Sequence, residues 1–240
     1  MCHYTQHAFS WSDTLSTFIC TYIHPSIRTG RFDVTVGVGG IFLEGKAGNC
    51  FFPWNNVSHV NLVPVSASAK KEGEDLMSIQ AREPVNYNGK PITSMLWCLS
   101  KGGKTHSAKA ENVSITGFEC DVASSLVATG WKGSIVVPRK ELFVAANGKN
   151  VFLRCNKGIQ EGALYPLSSG ILFVKPSVFL PSDTIASITA GRGGSATTRY
   201  VDLIIRYFLK LIYSITSFRQ IIQYNVIIVR KMARITSFLT

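Results

Sequence analysis

The residues best suited to ligand binding lie in one glycine-rich stretch, from Ala190 to Tyr200. Its glycines let the backbone approach a partner closely, and Arg192 and Arg199 can supply charge-assisted hydrogen bonds. A nucleotide-phosphate loop would require the pattern GxxxxGK followed by Ser or Thr, which this stretch lacks. Two interpretations stay open on these residues alone: a loop that faces a ligand, and an ordinary surface loop.

Metal and catalytic chemistry are not indicated by the other residues. Histidine and cysteine are frequent near the start, but their spacing matches no recognised zinc motif. Asp183 is typical of a turn, and no set of nucleophile, base and orienting acid can be recognised. We therefore predict a protein that is not an enzyme and that uses no metal, cofactor or small-molecule substrate. The potential metal ligands near the start are Cys2, His3, His7, Cys20 and His24.

The chain is basic, with a formal net charge of +11. Residues 206–240 contain six Lys or Arg and no Asp or Glu, so they carry more than half of the excess. Because a basic surface attracts phosphate backbones, Lys101, Lys104 and Lys109 are candidates for weak contact with double-stranded DNA. Ordinary surface lysines are the alternative interpretation. The six scattered cysteines and the lack of an apolar signal segment after the polar start favour a reducing compartment.

Hydrophobic periodicity predicts a chain made mainly of strands. Alternation from Phe32 to Val38 indicates a half-buried strand, and two apolar runs on either side of Ser168-Ser169-Gly170 indicate a hairpin. A third run, Val178 to Leu180, extends the hairpin into a meander that closes at Pro181. Near the start, Asp13 is placed to cap a short helix that Pro25 would end.

Other segments are less regular. Residues 66–89 are polar and charged, which predicts a surface insertion. Residues 118–127 fit either a strand or a helix that closes the first unit.

Two segments share one order of residue types, which predicts a supersecondary unit used twice. Each has a turn glycine, three apolar residues, a loop, a proline after an apolar or aromatic residue, and two apolar anchors three residues apart. The corresponding pairs are Gly40 with Gly170, Pro53 with Pro181, Val57 with Ile185, and Val60 with Ile188.

The second of these segments resembles a known family. The residues that carry the resemblance are Glu161–Leu167, Gly170–Phe173, Lys175-Pro176 and Asp183–Ile185. They are similar to the signature of the histone chaperones built from two pleckstrin-homology-like modules, a group that includes the Rtt-type chaperones and the middle domain of the large FACT subunit. Weaker similarity extends over residues 30–205.

The resemblance implies a mainly β chain of two pleckstrin-homology-like β-barrel modules in tandem. It also implies binding to core histones in nucleosome assembly in the nucleus, with contacts to other chromatin-assembly factors and, in some members, to double-stranded DNA. In that family the loop after the long strand of the second module helps to recognise the histone. The positions that this implies are Lys175, Arg192, Ser195, Thr198, Arg199 and Tyr200.

We expect an N-terminal segment (residues 1–30), a first module (31–145), an incomplete second module (146–205) and a helical or irregular basic tail (206–240). Residues Arg206, Lys210, Ser214 and Ser217 have the spacing of one helical stripe, which permits a membrane-surface role for the tail. A tail that is not native to the domain is the other interpretation. The rival function is therefore a scaffold at a membrane that binds phosphoinositides or proteins.

Overall fold

A computed structural model describes residues 14–25, 30–46, 48–65, 73–110, 113–145, 148–157, 160–174, 177–192, 200–208 and 224–232. The chain divides into two compact units between Ile135 and Val136. Sixteen strands and one α-helix are present in the described residues. The prediction of a mainly β protein is confirmed.

Unit 1 is built on one seven-stranded antiparallel sheet in the order β4-β3-β2-β1-β7-β6-β5. Its strands are β1 (Thr14–Pro25), β2 (Gly30–Gly37), β3 (Gly40–Gly45), β4 (Gly48–Pro53), β5 (Val57–Pro64), β6 (Glu74–Tyr87) and β7 (Lys90–Ser100). A separate hairpin, β8 (Thr105–Ala110) and β9 (Val113–Phe118), leads into α1 (Glu119–Trp131).

Unit 2 repeats this order with its own seven strands, β13-β12-β11-β10-β16-β15-β14. Their bounds are β10 (Leu153–Lys157), β11 (Gln160–Leu167), β12 (Gly170–Val174), β13 (Val178–Pro181), β14 (Ile185–Arg192), β15 (Tyr200–Phe208) and β16 (Tyr224–Met232). The first strand thus pairs with the seventh in both units, which makes the second sheet as complete in strands as the first.

The two predicted copies of the supersecondary unit each form a bend of the same kind, which we call the corner. In each copy a strand ends at the proline, a one-turn 3₁₀ helix follows (Trp54–Asn56 or Ser182–Thr184), and the next strand begins at the apolar anchor. The residue after each proline donates its N–H to a turn carbonyl, Trp54 to Gly39 at 3.1 Å and Ser182 to Ser169 at 3.0 Å. Because proline has no N–H, the ladder stops there and the chain turns.

The corner also requires a glycine at one position in each unit. Gly40 pairs with Pro53, and Gly170 pairs with Pro181. A Cβ on Gly40 would lie 2.8 Å from the Pro53 Cα, and a Cβ on Gly170 would lie 2.9 Å from the Pro181 Cα. Both sites therefore admit only glycine without movement of the backbone.

The outer edges of the two sheets are not joined. The described strands β4 and β5 lie at opposite ends of the order in unit 1, and β13 and β14 do so in unit 2. The expected barrels are therefore open at the corner in both units, because the proline and the 3₁₀ turn interrupt the ladder at this point.

Helix α1 completes the core of unit 1. Its buried residues belong to one apolar cluster with the inward side chains of the sheet. The indole of Trp131 donates to the Val57 carbonyl at 3.2 Å, and Gly130 lies against the ring of Trp54. Of the two interpretations for residues 118–127, the helix is correct. The buried helix residues are Cys120, Val122, Ala123, Leu126 and Val127.

Three predictions of secondary structure are wrong. The residues expected to form an N-terminal helix are β1, which pairs with β2 and β7, because β-branched and aromatic residues outweigh the capping signal of Asp13. The expected insertion over residues 66–89 contains β6, a central strand whose charged start hides its apolar remainder. The expected helical or irregular tail contains β16, where the run Val226–Val229 favours a strand.

The truncation expected for unit 2 is not found in its strands. With β16 in place, β10 has a partner on each side, as β1 has in unit 1. The described residues of unit 2 contain no α-helix that corresponds to α1.

Candidate functional site

The strand ends of unit 2 bring parts of the predicted histone-binding set together. Strand β14 ends at Arg192 and β15 begins at Tyr200, and the register pairs Arg192 with Val201. These two candidates therefore lie at the same end of the sheet. The stretch between them, with Ser195, Thr198 and Arg199, lies outside the described residues.

Strand β16 reaches the same end of the sheet, because its last residue, Met232, pairs with Tyr200. Strand β12 ends at the opposite end. Its last residue, Val174, pairs with Ala163 near the start of β11, and the start of β11 pairs with the end of β10. The end of β10 lies toward the start of β16, and the start of β16 pairs with the end of β15. Lys175 follows Val174 and lies outside the described residues. The end of β14, the start of β15 and the end of β16 thus meet at one end of the sheet, which we call the strand-end face.

Sequence reasoning missed further basic positions at the strand-end face. Lys231, next to the end of β16, lies opposite Val201. Arg230 is paired with both Asn156 and Asp202. The signal for them is the β-branched run before Arg230, in the segment for which the sequence predicts a tail. Because these positions cluster with Arg192, the strand-end face is rich in basic residues.

The DNA candidates of unit 1 do not form one group. Lys101 and Lys104 lie in the turn after β7 and are exposed, whereas Lys109 lies on β8 opposite Ser114. Five residues of extended chain place Lys109 about 16 Å from Lys104. Lys101 is also engaged within the unit, since its Nζ lies 2.8 Å from Oδ1 of Asp75. Lys104 is therefore the better placed of the two turn lysines for an external phosphate.

The acidic residues near this turn face the interior of unit 1. Asp75 is buried and lies 3.6 Å from the Cys120 thiol, and Glu74 accepts from the Cys98 thiol at 3.1 Å. Burial raises the pKa of Glu119, and the backbone N–H of Ser100, which donates to its carboxylate at 3.2 Å, opposes the rise. These groups fix α1 and the end of β7. They do not provide an acidic surface for a basic partner.

Within the described ranges, no group of three or more His, Cys, Asp or Glu side chains is arranged to hold a metal ion. None of the helices described is both long enough and apolar enough to cross a membrane.

Comparisons with known proteins agree with the resemblance. The family model described as "Histone chaperone Rttp106-like, middle domain" matches residues 151–240. The FACT complex subunit POB3 of Debaryomyces hansenii is 26% identical over 194 residues, which cover 72% of this chain and 34% of that protein. The chain therefore spans about a third of the length of this relative.

Two solved structures are distantly similar. One, titled "Structure of the Spt16D Pob3N heterodimer", has a TM-score of 0.35 and 9% identity, and covers 80% of this chain and 83% of its own. The other, a synaptonemal complex protein, has a TM-score of 0.34 and 10% identity, and covers 50% of this chain and 28% of its own. The predicted resemblance is confirmed by the sequence matches: the segment that builds unit 2 is similar to the middle domain of Rttp106-like histone chaperones, and the chain resembles the FACT type of that family.

Proposed function

We propose that this protein is a non-enzymatic histone chaperone that binds core histones during nucleosome assembly in the nucleus. The observation that carries the proposal is the family match over residues 151–240, the segment that forms all seven strands of unit 2. The relative POB3 is by name a subunit of the FACT complex, which supports other chromatin-assembly factors as further partners.

The histone contact in this proposal is the strand-end face of unit 2. Its candidates are Arg192, Ser195, Thr198, Arg199 and Tyr200. Lys175 stays a separate candidate, because it follows β12 at the other end of the sheet. Support comes from the register, in which the end of β14 at Arg192, the start of β15 at Tyr200 and the end of β16 lie at one end of the sheet. Binding would shield the histone surface, and no covalent bond would form or break.

Charge decides what kind of contact this face can make. Core histones are basic, and the strand-end face carries basic positions at Arg192, Arg230 and Lys231. Attraction between opposite charges therefore does not drive the histone contact. Hydrogen bonds from Arg192 and aromatic packing by Tyr200 are the interactions that remain. The excess of basic residues suits weak contact with the phosphates of double-stranded DNA.

Pulldown of purified core histones tests the proposal. We expect the full chain to retain histones and the double variant Arg192→Ala/Tyr200→Ala to lose most of that retention. Arg206→Ala is the matched control, because Arg206 is an exposed arginine of unit 2 placed toward the other end of β15. Equal loss in the control variant would show that the strand-end face is not the histone site.

A membrane scaffold that binds phosphoinositides is the second candidate function. The observation that favours it is the same group of basic positions, which would also bind a phosphorylated headgroup. Flotation with vesicles that contain phosphoinositides separates the two functions. Vesicle binding without histone retention would overturn the chaperone proposal.

A further inference from the structure

Strand β14 leaves one edge of the sheet of unit 2 open. Within the described residues it pairs with β15 alone. In an antiparallel pair, every second residue of an end strand directs its N–H and C=O away from the sheet. These groups can be satisfied by water or by another strand, and an open edge of this kind is a template for strand pairing.

The apolar core of unit 2 is exposed at this edge. Ile188 lies opposite Ile205, so both side chains point to the same side of the sheet. Ile205 is 1% exposed, but Ile188 is 46% exposed. The corresponding residue of unit 1, Val60, is 1% exposed and lies opposite the fully buried Ile79. Unit 2 therefore has an uncovered core position where unit 1 has a covered one.

The open edge lacks the features that usually prevent strands from joining. From Ile185 to Gly191 the strand contains no Lys, no Pro and no charged residue. The register shift between Ile185 and Ser187 disturbs only its start, so the pairing is regular from Ser187 onward.

We propose that β14 is a self-association edge, at which β14 of a second copy of this chain pairs antiparallel to it around Ile188. The second copy is the occupant that the features indicate, because an uncharged edge is complementary to itself under twofold symmetry. The two Ile188 side chains then cover each other as a cross-strand pair, and the two sheets of unit 2 continue into one. This inference does not depend on histone binding.

Sedimentation velocity of the full chain tests the proposal. The interface is one strand and one apolar contact on each side, so we expect association at roughly 10 to 100 µM. Ile188→Lys should keep the chain monomeric to about 200 µM, because it places like charges opposite each other at the centre of the pair. Val38→Lys is the matched control, since Val38 is 63% exposed in a turn of unit 1. The control should associate like the wild type.

Hydrogen exchange supplies a second measurement that does not depend on a variant. Amides of residues 187–191 should exchange about tenfold more slowly at high than at low protein concentration, as strand pairing protects them. A chain that stays monomeric at every concentration overturns the proposal. Association that survives Ile188→Lys, with exchange in β14 unchanged, also overturns it, because the contact must then lie elsewhere.

Discussion

Lys101 and Asp75 form an ion pair in unit 1, with Nζ 2.8 Å from Oδ1. The Asp75 side chain is 8% exposed and that of Lys101 is 50% exposed, so part of the lysine charge is neutralised within the unit. We predict that Lys104→Ala weakens binding to duplex DNA more than Lys101→Ala and lowers the slope of log affinity against log salt by about one. Fluorescence anisotropy with a labelled duplex at several salt concentrations measures both quantities.

Lys46→Ala is the control for this comparison, because Lys46 is an exposed lysine of unit 1 outside the turn. The same loss in all three variants would mean that the turn has no special part in DNA contact.

Packing of Trp54 against Gly130 gives a stability prediction. A Cβ on Gly130 would lie 2.6 Å from Cε2 and Nε1 of the indole. The indole also donates from Nε1 to the Gly37 carbonyl at 3.0 Å, so it cannot move without losing that bond. We expect Gly130→Ala to destabilise the protein by about 1–3 kcal/mol through overpacking, even though alanine favours a helix.

Urea unfolding measures this change. Gly102→Ala is the control, because a Cβ at Gly102 would meet nothing within 4 Å. If both variants unfold at the same urea concentration as the wild type, α1 does not sit against Trp54 as described.

The two corner glycines give a pair of matched predictions. Gly40→Ala should open unit 1 and Gly170→Ala should open unit 2, since each Cβ would meet the backbone of the opposite strand. The cost is expected to be about 1–3 kcal/mol in each unit. Limited proteolysis followed by mass spectrometry identifies the unit that opens.

Gly39→Ala is the internal control for the first corner, because its Cβ would make only an ordinary contact, 3.8 Å from Phe51 Cζ. Cleavage of both units in either glycine variant would contradict independent corners.

The Cys50 thiol provides a prediction about pH. Burial raises the pKa of Cys50 to about 12. Its thiol in the unfolded chain ionises near pH 9. As pH rises, the thiol of the unfolded state therefore loses its proton first, and the free energy of unfolding falls from about pH 9 toward pH 12. Below about pH 9 this thiol does not make the free energy of unfolding depend on pH. Cys50→Ala should remove this part of the pH dependence, as measured by urea unfolding from pH 8 to 10.5.

The same burial predicts slow alkylation of Cys50 at pH 8 in the folded protein and rapid alkylation in denaturant. Cys98, which is only partly buried, is the comparison thiol within unit 1. Equal rates for the two thiols in the folded state would contradict the burial of Cys50.

The corner could be predicted from sequence because its signals are local. A glycine, a proline and two anchors occur within about twenty residues in both copies, and the proline and the anchors keep the same spacing. The glycine and the proline each have a steric role that the residue type reveals. The hairpin that surrounds Ser168-Ser169-Gly170 was predicted for the same reason.

The strand-end face could be predicted only in part, because it depends on pairing between distant segments. Nothing near Asn156 indicates that Arg230 lies opposite it. Because the sequence predicts a tail for residues 206–240, the site predicted from sequence lacks β16 and, with it, Arg230 and Lys231. Local periodicity cannot supply such a partner, since pairing of distant strands is set by the whole sheet.

Exposure at Ile188 could not be predicted either. Its residue type and its position in the repeat both suggest a covered anchor like Val60. The difference lies in what surrounds the strand, and the sequence of the strand itself does not contain that information.

The corner shared by the two units has a consequence for how such a protein can diversify. In each unit a glycine–proline pair sets the path of the main chain, and it does so independently of the neighbouring side chain. The pairs are Gly40 with Pro53 and Gly170 with Pro181. The neighbouring position is free to be a buried Trp54 in one copy and an exposed Ser182 in the other. Substitutions at this neighbouring position can therefore change the surface of one unit while the glycine and the proline keep its bend.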